Sequence, residues 1–457
     1  MDDTIAAIAT APGAAAIGIV RISGPASFEI AHRVFHGRGR VHPEHDASGV
    51  LHGRIKDPSG RSDEADIDDV ILLSFKKPNS YTGEDVIEIQ CHGGTSVVLR
   101  ILRLVLAMGA RQADPGEFTR RAFLNGKMDL VQAEAVADLI AAQTEKAASS
   151  AIEQLEGNLS KAFESLYAAL LALSSDVETM LDFTEDELPP DYYITTHQRL
   201  SAINDQLVTM ISTWDEGRIL RQGALVVICG RVNAGKSTLL NQLLGVDRAI
   251  VSSLPGTTRD TIEELITIDG LPCRLIDTAG LRTSDCIIEQ EGVIRTMRYV
   301  NKADILLYVI DASLPLTAED IQFLSDGPGK QVIIILNKND LGMVIDPLSL
   351  PKHHQIIRCM MDDSRSITHL KSMIYNLLTN TSHAIHGAHI GERHYHILSN
   401  AKTEIEQALS ISTSSNIDPL LIASHARNAA DQVGIIIGKK YYTDMLNDIF
   451  SRFCIGK

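Results

Sequence analysis

The run Gly230-Arg231-Val232-Asn233-Ala234-Gly235-Lys236-Ser237 is a complete GxxxxGKS phosphate-binding loop, and it constrains this chain more than any other feature. It follows the short apolar run Leu225-Val226-Val227-Ile228 and leads into Thr238-Leu239-Leu240-Asn241-Gln242-Leu243-Leu244. There the apolar residues recur at helical spacing until Gly245, which is expected to stop the turn. A strand, a glycine-containing loop and a helix in that order suit one task. Backbone N–H groups wrap phosphates, Lys236 reaches the terminal phosphates, and the Ser237 hydroxyl binds Mg²⁺. A lone match of this kind can be an ordinary turn. Here Asp277-Thr278-Ala279-Gly280 and Asn337-Lys338-Asn339-Asp340 follow downstream, so the chain is read as binding a nucleotide.

Hydrogen-bond polarity selects the base. The Asp340 carboxylate can accept from the ring N–H and exocyclic amine of guanine, a donor pair that adenine lacks. Asn337 and Lys338 follow the apolar run Val332-Ile333-Ile334-Ile335-Leu336, which places them at the carboxyl end of a buried strand, where α/β sheets bind ligands. Asp277 ends Arg274-Leu275-Ile276 and is placed to hold the Mg²⁺ shell. Thr257 and Thr258, in Gly256-Thr257-Thr258-Arg259-Asp260, fit a loop closing over the γ-phosphate, with Thr258 as a second Mg²⁺ ligand. The expected GTP-contacting set is Asn233, Ala234, Gly235, Lys236, Ser237, Thr238, Ser252, Ser253, Leu254, Pro255, Gly256, Thr257, Thr258, Asp277, Thr278, Ala279, Gly280, Asn337, Lys338 and Asp340.

Hydrolysis departs from the Ras pattern. Leu281 follows Asp277-Thr278-Ala279-Gly280, where Ras-type enzymes carry a water-orienting Gln. A leucine cannot orient water, and no arginine finger is evident from spacing. A bound cation and a carboxylate from the segment after Leu281 would have to take over. Arg282, Asp285, Glu289 and Glu291 lie there, each equally readable as a solvated loop charge.

At 457 residues the chain is long enough for two to four domains. Its 44% hydrophobic content fits a soluble globular protein, and Met1-Asp2-Asp3-Thr4 carries no basic leader. No apolar run approaches a membrane span, so a cytoplasmic location away from membranes is expected. Six cysteines without metal spacing read as reduced thiols. A net charge of −16 argues against a protein that coats nucleic acid non-specifically, but leaves room for a local basic patch.

Residues 1–121 mix short strands (17–22, 70–75, 86–89) with a helix at 96–108, an α+β pattern. From Pro115 to Pro189 there is no intervening proline, and apolar positions recur three and four apart through Leu130, Ala133, Ala137 and Ile140 and through Leu166, Leu170 and Leu173. Long packed helices follow. Segments 393–411 and 419–450 are helical again. The fold expected is multidomain α/β: an α+β domain at 1–121, a helical domain in two parts at 122–220 and 383–457, and a Ras-like P-loop domain at 221–382 inserted between them.

The two ends of the chain carry a resemblance. The terminus Ile449-Phe450-Ser451-Arg452-Phe453-Cys454-Ile455-Gly456-Lys457 closely resembles that of the MnmE/TrmE tRNA-modification GTPases. Arg21-Ile22-Ser23-Gly24, Tyr81-Thr82-Gly83-Glu84-Asp85, His92-Gly93-Gly94 and Pro115-Gly116-Glu117-Phe118-Thr119-Arg120-Arg121-Ala122-Phe123-Leu124-Asn125-Gly126-Lys127 look like the same family's N-terminal half. The resemblance implies a tetrahydrofolate-binding-like N-terminal domain that forms a homodimer and takes 5,10-methylene- or 5-formyl-tetrahydrofolate. Arg21, Glu88, Lys127 and Lys457 match its folate positions. It further implies a potassium ion held by Asn233, Ser252, Leu254 and Thr257, with Glu289 orienting the hydrolytic water. Partners would be tRNA and an MnmG/GidA-type flavoprotein carrying FAD, in a heterotetramer that modifies C5 of the wobble uridine. Cys454 is a candidate nucleophile by position, with packing of a terminal thiol as the alternative.

Two departures stand out. Met360-Met361-Asp362 occupies the place where the family usually has Ser-Ala-Arg for a backbone contact to guanine, and Cys91 replaces a frequent glycine, reading as a small buried thiol. An Era-like regulatory or ribosome-assembly GTPase would explain 221–382 but neither flank, and the sequence from Arg393 offers no GxxG loop of a KH domain. A stand-alone folate aminomethyltransferase would leave the nucleotide site without a use.

Overall fold

A computed structural model describes residues 3–37, 49–58, 66–181, 189–247, 263–277, 297–325, 330–351, 353–360, 363–379 and 389–457. The chain forms two compact units, one of residues 1–137 with 434–457 and one of residues 138–433.

The first unit is built on strands β1 (Ile5–Ile8), β2 (Ile17–Ser23), β3 (Phe35–Gly37), β4 (Gly49–Lys56), β5 (Asp66–Phe75), β6 (Val86–His92) and β7 (Arg111–Gln112). They form one sheet in the order β3-β4-β5-β6-β2-β1-β7, antiparallel throughout except for β1 with β7. The period-2 alternation of strand side chains decides the two faces. Val20, Ile22, Leu72, Ile87 and Ile89 join Ile101 and Val105 of helix Thr95–Ala107 in the main core. Arg21 and Glu88, directly opposite one another in register, point the other way. There Ile5, Ala7, Ala113 and Phe118 form a small second cluster with Tyr81.

The last residues of the chain belong to this unit. Helix Thr443–Ser451 packs on helix Glu117–Leu124, with Phe450 and Phe453 buried. The helical part expected at 383–457 therefore divides, since 434–457 pack with the N-terminal residues. The helix expected from 419 to 450 is also interrupted, ending at Ile436 and resuming at Thr443.

In the second unit, strands β8 (Ala224–Gly230), β9 (Glu263–Ile268), β10 (Leu271–Asp277), β11 (Ile305–Asp311), β12 (Gln331–Asn337) and β13 (Gln355–Arg358) form a sheet in the order β13-β12-β11-β8-β10-β9. All pairs are parallel except β9 with β10. Buried on both faces, β8, β11 and β12 read as unbroken apolar runs. Helix Lys236–Asp247 runs through Gly245 instead of stopping there. One helical glycine costs about 1 kcal/mol against alanine, which packing of the buried Leu239 and Leu243 overrides. The helices on either side of the sheet in sequence come together: Tyr192–Ser212 packs on Glu392–Ser412, and the Ser174 hydroxyl of helix Asn158–Met180 donates to the Ala423 carbonyl at 3.2 Å. Leu166, Leu170 and Leu173 are fully buried as their spacing predicts, whereas Ile140 is 47% exposed.

Candidate functional site

The strand order puts the carboxyl ends of β8, β10, β11 and β12 side by side, and every described nucleotide motif starts from one of them. Ser237, at the start of the helix that follows β8, donates its hydroxyl to Asp277 Oδ2 at 3.0 Å, bringing a hydroxyl and a carboxylate together as a Mg²⁺ shell requires. Lys236 is buried and spans the loop, its ammonium 2.7 Å from the Arg231 carbonyl. Thr238, like Ser237, is exposed.

The guanine motif braces the phosphate loop. The Asn337 side-chain amide donates to the Ala234 carbonyl at 2.9 Å, and Lys338 Nζ to the Asn233 carbonyl at 2.8 Å. Lys338 also pairs with Asp311 Oδ2 at 2.7 Å. Burial works to raise the Asp311 carboxyl, but the bonds from Lys338 and Ser313 outweigh it and hold its pKa below the ordinary value. Gly235 sits at φ +104°, and a Cβ there would fall on the Asn337 amide nitrogen, inside contact distance. Two residues of the site take positive φ without being glycine: Asn233 at 63° and Lys338 at 59°. Asp340 follows in a short 3₁₀ turn, Asn339–Leu341, with its carboxylate exposed and open to a base edge. Met360 is exposed just past β13, where the Cys359 N–H donates to the Leu336 carbonyl at 3.0 Å.

Ser252, Ser253, Leu254, Pro255, Gly256, Thr257, Thr258, Thr278, Ala279, Gly280, Leu281, Glu289, Met361 and Asp362 lie outside the described residues. So do the other candidates of the hydrolytic segment, Arg282, Asp285 and Glu291.

A second constellation forms in the first unit. Arg21 Nε and Nη2 both lie 2.8 Å from Glu88 Oε1, and Arg21 Nη1 donates to the Gly456 carbonyl at 3.3 Å. The guanidinium lies over the rings of Tyr81 and Phe118, 5.5 Å and 5.6 Å from their centroids. Lys457 is half-buried in the same place. Burial, and then the charge of Arg21, push its ammonium below the usual lysine value, against the opposite pull of Glu88 and Cys454. Chain ends more than four hundred residues apart thus share one electrostatic environment. Lys127 is joined to the loop carrying Tyr81, where its ammonium donates to the Pro78 carbonyl at 3.0 Å.

Of the described thiols, Cys454 is exposed and the others are buried. Burial pushes Cys91 and Cys359 up to about 11 and Cys229 and Cys273 up to about 12, so all four are protonated and inert at neutral pH. Cys91 donates to the Gly18 carbonyl at 3.3 Å, as a small buried thiol can.

Sequence reasoning assigned no role to the ionic network beneath the Arg21 cluster. The fully buried Arg121 meets Glu84 at 3.2 Å, Glu117 at 3.0 Å and Asp3 at 2.8 Å, and Arg111 closes the network on Asp3 and Glu117. Glu84 is also held by the Ser23 hydroxyl at 2.7 Å, which ties the 81–85 loop to the end of β2. The i,i+4 spacing of Glu117 and Arg121 was the available signal; that both face inward was not. Asp311, which anchors Lys338, belongs to none of the motifs.

Strand, phosphate loop, helix, and paired Ser237 and Asp277, with the Asn337–Asp340 motif at the end of β12 and Asp340 exposed, define a P-loop domain of the guanine-nucleotide type set between helices. Family profiles agree over nearly the whole chain: that for the TrmE N-terminus matches residues 4–127 and that for the MnmE helical domain residues 130–454. The tRNA modification GTPase MnmE of Geobacter sulfurreducens is 43% identical over 474 residues, covering 100% of both chains. That of Clostridioides difficile is 40% identical over 468 residues, again covering 100% of both. Among solved structures, the G domain of the T. maritima FeoB iron transporter matches 34% of this chain and 98% of its own at 27% identity, with a TM-score of 0.26, too low to carry a structural argument. The chain belongs to the MnmE/TrmE family of tRNA-modification GTPases.

Proposed function

We propose that the protein is a GTP-hydrolysing enzyme that modifies C5 of the wobble uridine of certain tRNAs. It works as a homodimer, in a heterotetramer with an MnmG/GidA-type flavoprotein, in the cytoplasm. The observation that carries this reading is the placement of Lys457 beside Arg21 and Glu88. A GTPase acting only as a timer has no use for a cation that its last residue brings to a carboxylate of the N-terminal sheet. An Era-like regulatory role accounts for the nucleotide motifs and leaves that cluster unexplained.

Each group fits a one-carbon tetrahydrofolate. The acidic tail wants cations, which Arg21, Lys457 and Lys127 supply, and the pterin edge wants an acceptor, for which Glu88 is fixed by its bond to Arg21. The folate would bring the carbon and the partner's FAD the redox chemistry, while Cys454 stands exposed beside Lys457 as the candidate nucleophile. In the nucleotide domain, proposed at 221–382, Ser237, Thr258 and Asp277 serve Mg²⁺. Asn233, Ser252, Leu254 and Thr257 serve a potassium ion in place of an arginine finger, and Glu289 orients water where Leu281 cannot. Nucleoside analysis of tRNA from cells lacking the protein tests the reading. The modified uridine should disappear and return on complementation; unchanged tRNA would refute it.

A further inference from the structure

The turn between helices Pro419–Ile436 and Thr443–Ser451 reads Ile437-Gly438-Lys439-Lys440-Tyr441-Tyr442. In a chain of net charge −16 it sets two adjacent lysines beside two adjacent tyrosines, all exposed. Tyr441 is 47% and Tyr442 71% exposed, so neither ring is spent on the core. The turn is nevertheless held in place. The Tyr441 ring meets Phe123 edge-on, centroids 5.6 Å apart at 73°, and Gly438 lies against the same Phe123 ring. The backbone N–H groups of Lys439 and Lys440 donate to the Gly434 carbonyl at 3.0 Å and 3.3 Å.

Position gives this platform a meaning. Phe123 and Phe118 lie on one helix, Glu117–Leu124; Phe118 covers Arg21 while Phe123 supports Tyr441. One short helix thus carries a ring at the Arg21 cluster and the ring that supports the turn. Asp444 occupies the first turn of the following helix and Asp448 pairs with Arg452, so anionic groups are received by the lysines and not by the helix start.

We propose that Lys439, Lys440, Tyr441 and Tyr442 form a docking surface for a single-stranded RNA loop, namely the unstacked nucleotides flanking the uridine to be modified. Bases stack on the two tyrosines and the lysines take the adjoining phosphates. Proteins read RNA sequence mainly in such loops, with aromatic rings as the stacking platform and cations along the backbone. The inference rests on the tRNA-modification reading and assigns its RNA contact to this turn.

The test uses the full-length protein and a fluorescein-labelled anticodon stem-loop with uridine at the wobble position, beside a fully paired RNA hairpin of equal charge. Tyr442→Ala should weaken binding of the stem-loop about 5- to 150-fold and leave the hairpin unchanged, and Tyr442→Trp should keep the affinity. Tyr442 makes no side-chain cap bond, so its loss leaves helix Thr443–Ser451 intact. The Lys439→Ala/Lys440→Ala variant should weaken both RNAs and flatten the slope of log affinity against log salt by about 1.4. GTP hydrolysis should not change. Wild-type affinity in Tyr442→Ala would overturn the proposal. So would a switch from dimer to monomer on sedimentation with RNA affinity intact, since the rings would then lie between two copies. Either result, with nucleoside analysis still showing that modification requires the protein, would overturn this assignment alone.

Discussion

Gly235→Ala probes how the guanine motif supports the phosphate loop. The substitution has two costs. At φ +104° an alanine is held in a region that favours glycine, at about 1–3 kcal/mol. Its methyl group also takes the place of the Asn337 amide nitrogen, which must swing away and release its 2.9 Å bond to the Ala234 carbonyl, at about 0.5–1.5 kcal/mol. The sum is about 1.5–4.5 kcal/mol. Without nucleotide the loop can relax around the methyl group, but wrapping phosphates demands the tight geometry, so the cost falls on affinity. At ~1.4 kcal/mol per tenfold, GTP affinity should drop about 12- to 1,600-fold. Titration with a fluorescent GTP analogue reads this directly, with circular dichroism as the check on folding. The path through Asn337 is tested by adding Asn337→Ala: with the amide gone, the double variant should lose less than the sum of the two singles, by about the 0.5–1.5 kcal/mol of the released bond. Affinity within about threefold of wild type, or strict additivity, would refute the account.

Hydrolysis should be much faster in potassium than in sodium at matched ionic strength, with rubidium and ammonium partly substituting, and Asn233→Ala should lower that stimulation; equal rates in the two salts would remove the proposed ion. Glu289→Ala should cut kcat by ~10²–10⁴ with little change in GTP affinity, as for an interaction made in the transition state, and steady-state kinetics with unchanged turnover would return it to the status of a surface carboxylate. Deleting residues 454–457 should abolish tRNA modification and weaken a folate titration while sparing GTP hydrolysis, and Arg21→Ala should weaken the same titration; normal modification by the truncated chain would reduce the tail to a packing element. Because burial and Arg21 hold the Lys457 ammonium below its usual pKa, raising pH removes its charge sooner than for an exposed lysine. Affinity for the anionic folate should therefore fall on the alkaline side at a pH below ~10.4, and isothermal titration across that range should lose this step in Lys457→Ala.

Local chemistry made the nucleotide site legible in the sequence alone. Phosphate wrapping needs a contiguous strand, loop and helix, so Gly230 to Ser237 declare it within eight positions. Asp277 and Asn337 to Asp340 could be placed because each ends a run of apolar residues buried on both faces. The resemblance at the two ends of the chain pointed to Arg21, Glu88 and Lys457, but not to how they meet. Neither helical spacing nor composition reports a hydrogen bond between Arg21 and Gly456, because that depends on Phe450 and Phe453 carrying the tail onto helix Glu117–Leu124. The same holds for Asp311 and for Arg121. A carboxylate or a guanidinium reads as surface in one dimension, and becomes a brace once the fold sets it beside Lys338 or Glu84. Even Gly245, a stop signal in isolation, lies inside a helix because Leu239 and Leu243 bury more than one glycine costs. Residue type and short spacing determined what chemistry the chain can do; long-range burial decided which residues stand close enough to do it together.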